Sequence, residues 1–266
     1  MSKNRKTISR RQFLLTTNYF FFGGLFGLNS FSKVLASESR KNEFLFQPRI
    51  ALIIDDIGYS PSRARRFLDL GLPITYSILP RFKYSNDLAV YIHKEGHDVM
   101  LHQPMEPYNP TIDPGPGALY VGDKQERVVR ILEENISGIP FAAGVNNHMG
   151  SRFTECEHEM NQTLNVIRKK DLFFIDSLTT NHSIAYSTAK KLHMITAFRN
   201  IFLDNSRDES AIIRQLERLK RHAWKYGGAI GIGHPHVETA RAMGKFFKGL
   251  TELDCSLVHI SDILKT

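Results

Sequence analysis

The stretch that most constrains this chain is Ile50 to Tyr59, IALIIDDIGY. The residues from Ile50 to Ile54 are apolar without alternation. That is the pattern of a strand buried on both faces, as in parallel sheets covered by helices. Two carboxylates then stand side by side, Asp55 and Asp56, with Gly58 just beyond. An acidic pair closing a buried parallel strand lies at its C-terminal end, where α/β folds collect ligands and catalytic groups. Alternation along a strand turns the two side chains in different directions, so they can hold different roles. A lone Asp-Asp is more simply a solvated turn, one Asp capping a helix that begins near Ser60-Pro61. The endings of the later strands shift the balance toward a site.

Hydrophobic periodicity places strands at 50–54, 74–79, 98–101, 141–145, 172–175, 194–198, 228–232 and 257–260. Helical spacing fills 60–70, 87–94, 123–137, 155–170, 182–192, 209–226 and 237–250 between them. Seven or eight βα units predict a distorted (β/α) barrel of about seven strands, with an open doubly wound sheet as the alternative. Asp55-Asp56, His102, Asn147-His148, Asp176 and His234 each fall just past an expected strand. A barrel would gather them on one face. After His102 comes a long Pro- and Gly-rich loop containing Glu106, a length usually tied to function.

The N-terminus opens on a basic segment and then runs apolar from Phe13 to Leu28. Ser9-Arg10-Arg11-Gln12-Phe13-Leu14 resembles a twin-arginine export motif, and Val34-Leu35-Ala36 supplies small residues for cleavage. Residues 1–36 are therefore expected to be a signal peptide directing the protein to the periplasm, 37–48 a linker and 49–266 the domain. An uncleaved anchor is the alternative, but Asn18, Gly23, Gly24 and Gly27 interrupt a run already short for a ~30 Å hydrocarbon core. No stable membrane span is expected once the signal is removed.

Of 35 Lys and Arg, six lie in the signal with no acid beside them, leaving 29 basic against 27 acidic residues. So small an excess, with no basic stripe carrying interleaved aromatics, gives no support to a nucleic-acid surface. The cysteines are Cys156 and Cys255, which nothing in the sequence brings together.

Asp and His side chains converging from separate strands supply oxygen and nitrogen ligands for Zn²⁺ or a similar divalent transition metal. Such a cation activates water while a neighbouring carboxylate takes the proton, and His234 could protonate a leaving amine. The chemistry that follows is amide or ester hydrolysis. A metal phosphoesterase is disfavoured because no Gly-rich phosphate loop or arginine cluster marks the strand ends. Tyr59, Tyr108 and Tyr120 are candidates to stack on sugar rings, or else pack under loops.

Ile53-Ile54-Asp55-Asp56-Ile57-Gly58, His102-Gln103-Pro104-Met105-Glu106-Pro107, Asn146-Asn147-His148-Met149-Gly150-Ser151, Phe174-Ile175-Asp176-Ser177 and Gly233-His234-Pro235 resemble the successive motifs of the divergent polysaccharide deacetylase family. The resemblance runs from about Pro48 to Lys265. It implies a metal-dependent removal of N- or O-acetyl groups from a polysaccharide. Residue by residue, it implies Asp55 as base, Asp56 as metal ligand and His234 as general acid. Related deacetylases carry two histidines one helical turn apart after strand three; here that place holds His102 and Glu106. His148 then completes a ligand set of Asp56, His102 and His148. Their Arg-x-Pro-Tyr motif is absent, leaving Asn147 and Arg199 as candidates to orient substrate, and Asp176 matches a supporting position. The alternative is a degenerate barrel that binds glycan or an envelope partner without turnover.

Overall fold

The computed structural model describes residues 47–250 and 254–264. The expected signal peptide and all but the last residues of the linker lie outside them. In chain order come β1 (Arg49–Ile57), α1 (Pro61–Leu68), β2 (Ile74–Ile78), α2 (Ser85–Lys94), β3 (Val99–Met105), α3 (Gln125–Gly138), β4 (Ala142–Met149), α4 (Glu157–Lys169) and β5 (Phe173–Asp176). They continue with α5 (Ala185–Lys191), β6 (Thr196–Phe198), β7 (Ile201–Phe202), α6 (Glu209–Tyr226), β8 (Gly228–Gly233), α7 (Val237–Lys248), β9 (Ser256–Val258) and α8 (Ile260–Leu264).

The strands form a single parallel sheet in the order β6-β5-β4-β3-β2-β1-β8-β7. β9 joins the lower part of β1, where Arg49, Ile50 and Ala51 face Ser256, Leu257 and Val258. The sheet curls into the expected distorted barrel, and its ladder is open between β6 and β7. Those two edges are joined by Arg199 and Asn200, whose amides donate to Asp176 O on one side and Ile230 O on the other. The chain therefore crosses the seam in two residues.

Two apolar layers follow from the two faces of each strand. Outside, α6 shows how a helix is fixed: Asp208 caps it by accepting from Ala211 N, and Gly227 ends it at φ 88°. Its Ile212, Leu216, Leu219 and Ala223 are buried on one stripe in the main core. Inside the barrel, Ala51, Ile53, Met100, Phe173, Ile175, Ile230 and Ile232 pack together, with Ile260 from α8 among them. Gly144 makes room for this layer, since a Cβ there would stand 2.2 Å from the Phe173 ring.

The period of two then sets the site. Two residues beyond Ile53, Met100, Ile175 and Ile232 come Asp55, His102, Ser177 and His234, so an apolar plug is topped by a polar layer. β3 and β4 are longer than periodicity predicts because they stay paired through His102↔Asn146 and Pro104↔His148. These residues stand on the last rungs of the ladder and not in loops. β7, too short to carry a pattern, and α8 were not foreseen. The helix expected from 155 begins with a separate 3-10 turn, Phe153–Glu155.

Candidate metal centre and proton-transfer pair

β1 does not end at its acidic pair. Asp56 has φ 57°, and an extra residue on β1 bulges the ladder between Ile54 and Ile57. Regular alternation would send Asp55 and Asp56 to opposite faces. The left-handed residue turns Asp56 back, so both face the barrel mouth. A left-handed L-residue costs about 1–2 kcal/mol, least for Asp and Asn, and that strain is localised where the side chain is aimed.

Asp56 Oδ1 lies 3.3 Å from His102 Nε2 and 3.1 Å from His148 Nδ1. The two ring nitrogens are themselves 3.1 Å apart. Asp56 Oδ1 is nevertheless buried without a hydrogen-bond partner. Three ligand atoms at the corners of a triangle match the edges of a tetrahedron, about 3.3 Å for bonds of ~2.0–2.1 Å to Zn²⁺. The orphaned carboxylate oxygen and the two facing nitrogens fit a divalent cation. Burial acts to raise the Asp56 carboxyl, but the two imidazoles outweigh it and hold the group below the usual carboxylate range.

Asn146 sets the tautomer of His102. Its Oδ1 accepts from Ser77 Oγ and lies 2.8 Å from His102 Nδ1, which must then carry the proton. Nε2 is then the nitrogen that faces Asp56; burial opposes charge on the ring, but the Asp55 and Asp56 carboxylates raise the His102 pKa. The same amide donates through Nδ2 to Asp55 Oδ1 at 2.9 Å, tying the carboxylate to the ligand shell. Asp55 is 2% exposed, and this burial raises its pKa above the ordinary value.

Just past β8, the strand beside β1, stands His234, whose Nδ1 lies 2.9 Å from Asp204 Oδ1. Asp204 Oδ2 accepts from His234 N at 2.6 Å and from Thr239 Oγ1 at 2.7 Å. Burial opposes charge on the His234 ring, but the Asp204 carboxylate overrides it and, with Asp55 and Asp56, lifts the pKa to about 9. His234 is therefore cationic at neutral pH, with Nδ1–H held by Asp204 and Nε2–H left as the labile proton.

The remaining expected residues brace this arrangement. Asn147 points away from the metal triad, accepting from Ser177 N and donating to Met149 O. Asp176 accepts from Leu178 N, Ser183 Oγ and Tyr186 N, fixing the turn into α5. Arg199 donates to Ser177 O and Leu178 O and lies over the Phe202 ring at 3.7 Å. Glu106 accepts from Val121 N and Arg152 Nη1, so it ties the long loop to the end of β4. Tyr108 is engaged with Glu155, whereas Tyr59 is 49% exposed. Cys156 and Cys255 are free.

Sequence reasoning missed Asn146, Ser77 and Asp204. Asn146 was within reach, because it lies two residues before His148 and so shares its face. Asp204 follows a two-residue strand with no local signal.

Comparison with known proteins settles the family. The model of the divergent polysaccharide deacetylases matches residues 52–264. The chain belongs to that family. It is 31% identical over 216 residues to the uncharacterised YibQ protein of Escherichia coli, covering 81% of this chain and 67% of that one. An uncharacterised protein of Agrobacterium tumefaciens superposes with a TM-score of 0.78 at 25% identity, over 82% of this chain and 89% of that one. The catalytic domain of a peptidoglycan N-acetylglucosamine deacetylase from Eubacterium rectale has the same fold, with a TM-score of 0.52 at 11% identity over 80% and 89% of the two chains. The fold is a deacetylase-type barrel, and at its mouth Asp56, His102 and His148 form a catalytic-type cluster with the ligand atoms to hold a metal ion. Among the described residues no helix is long and apolar enough to cross a membrane.

Proposed function

We propose that the protein is an exported metal-dependent hydrolase that removes N- or O-linked acetyl groups from a polysaccharide. Asp56, His102 and His148 hold a divalent transition metal, Zn²⁺ being the best match to the donor set. One observation carries this reading: the buried, unpartnered Asp56 Oδ1 faces two imidazole nitrogens between a raised-pKa carboxylate and a cationic histidine. The family description supports an acetylated polysaccharide as the substrate.

A bound divalent cation supplies Lewis-acid charge, which eases the ionisation of water and polarises an acetyl carbonyl. Asp55, held by Asn146 and made more basic by burial, takes the proton of the attacking water. His234 gives its Nε2 proton to the departing amine or alcohol, while Asp204 keeps the ring oriented and stabilises its charge. Glu106 takes no part, since both its oxygens serve the loop. His148, from the next strand, supplies the third ligand atom beside Asp56 and His102 in its stead.

Export by the twin-arginine route to the periplasm belongs to the same proposal, supported by Ser9-Arg10-Arg11-Gln12-Phe13-Leu14. Replacing Arg10 and Arg11 by Lys should retain the protein in the cytoplasm, as fractionation would show. The central test measures metal content and acetate release from N- and O-acetylated oligosaccharides. About one equivalent of metal with acetate release is expected, and Asp55→Asn should keep the metal while losing release. A metal-loaded parent that releases no acetate from either class would overturn the hydrolase reading and leave a glycan-binding barrel.

A further inference from the structure

A cavity of about 410 Å³ opens between the end of β2, the loop after β3 and α3. Three arginines line it, Arg81, Arg127 and Arg130, against one acid, Glu134. Nothing in the metal centre uses them. Arg81 holds φ 63°, a left-handed backbone uncommon for a long side chain. Its guanidinium is fixed by Asn135 Oδ1 and Glu134 Oε2, each at 2.7 Å. Asn135 is fully buried and donates in turn to Gln103 Oε1 and Gly117 O. Gly117 is required there, since a Cβ would come within 2.6 Å of Asn135 and 2.8 Å of Arg81. The wall of the cavity is thus preorganised from the outer face of β3. Arg127 is engaged through Nε by Asp123, and among the described residues Arg130 has no carboxylate within 4.0 Å.

Aromatic residues lie between the cavity wall and the end of β1 that carries Asp56. Phe82 follows Arg81 and lies against Tyr59, with ring centroids 4.1 Å apart. A Cβ added to Gly115, on the cavity wall, would stand 3.9 Å from the same Phe82 ring. Tyr59 is half-exposed and stands three residues after Asp56, so their Cα atoms are within about 11 Å. A glycan extended from the metal centre over Tyr59 would run toward these arginines.

We propose that this cavity is a subsite for a carboxylate carried by the polysaccharide beside the acetylated unit, so that the preferred substrate is an acidic glycan. This rests on the reading of the metal centre as a glycan site. Planar guanidinium groups match a carboxylate in bidentate geometry, and with Arg81 held by Glu134 and Arg127 by Asp123 the remaining charge of Arg130 leaves room for one anion. The rigid Arg81 supplies position and the unpaired Arg130 supplies free charge.

The test is direct binding to the metal-loaded, full-length protein by calorimetry. The probes are a hyaluronan tetrasaccharide, which alternates N-acetylated and carboxylate-bearing units, and its carboxyl-reduced counterpart. The acidic probe should bind at least tenfold more tightly at low salt, and the preference should shrink as salt is raised. Arg130→Glu, a change on an exposed helix position, should abolish the preference, and Arg127→Gln should reduce it. Equal affinity for the two probes, or a preference that survives Arg130→Glu in a folded variant with normal metal content, would overturn the subsite. Acetate release plays no part in this measurement. A protein that binds the acidic probe through Arg130 yet releases no acetate would keep the subsite and lose the hydrolase reading.

Discussion

Two clusters of one aspartate and two histidines stand at the strand ends of this barrel, and they are chemically opposite. Asp56, His102 and His148 form one; Asp204, His234 and His236 form the other. In the first, the inward carboxylate oxygen has no hydrogen bond and the imidazole nitrogens face it and each other. In the second, both oxygens of Asp204 are occupied by His234 and Thr239, and His236 serves as the residue before α7. The same two residue types therefore suit a metal where the donors are left unsatisfied and a proton-transfer pair where they are satisfied. Composition and proximity do not distinguish the two; the hydrogen-bond inventory does.

The sharpest way to break this contrast is to delete ligands from each side. His102→Ala and His148→Ala should each lose the metal and lower acetate release by about 10³-fold or more, whereas His236→Ala should retain metal and lose less than a few-fold. Metal content by plasma emission decides it. Loss of metal in His236→Ala would make the second cluster a metal site too.

Next comes the proton pair. Asp204→Asn should lower kcat by about 10²-fold and move the alkaline limb of the pH–rate profile down from about 9 by about one to two pH units. The sign follows from the acid role: His234 must be protonated, and removing Asp204 lets its pKa fall toward 6.5. An unmoved alkaline limb would separate Asp204 from His234 function.

A smaller effect belongs to the amide that links base and ligand. Asn146→Ala should weaken metal affinity by about 10–100-fold while leaving one equivalent bound at saturation. Asn147→Ala, on the other face of β4, should leave metal affinity unchanged and lower thermal stability instead, because Asn147 ties two strand ends.

The smallest effect is on stability in the metal-free protein. The folded pKa of His234 lies above its unfolded value, so the pair stabilises fully below pH 6.5 and loses this contribution as pH rises through about 9. Below the ordinary carboxylate range, protonation of Asp204, whose pKa the His234 ring holds down against burial, removes the pair from the acid side. Between these limits Asp204→Asn should cost about 1–2 kcal/mol in urea unfolding, with the difference from parent vanishing near pH 10.

Much of this was legible from period-two and period-3.6 patterns. The buried run ending at Asp55-Asp56 identified the central strand, and the polar residues past each apolar stretch identified the mouth. What the patterns could not show was three-dimensional pairing. Strand ends predicted at Leu101 and Val145 extend to Met105 and Met149 because β3 and β4 hold each other, which no local signal encodes. Asp56 reaches the site through a left-handed bulge, where plain alternation points it elsewhere. Asn147 was chosen over Asn146 although the face shared with His148 favours the latter. Asp204 depends on β7 pairing with β8, a contact between two short segments separated by the whole of α6.

The position of β1 has a consequence for how the molecule comes into being. Leu52 pairs with Ile74 on one side and with Gly231 on the other, so the strand carrying Asp55 and Asp56 waits for a segment made far later. Until β8 emerges from the ribosome, the most apolar strand in the barrel has an open edge, a state prone to mispairing. Such distant partners also make closure slow. Asp56 on β1 and His234 just past β8 are consequently brought into register by the same late ladder, and a nascent chain short of β8 would lack this arrangement.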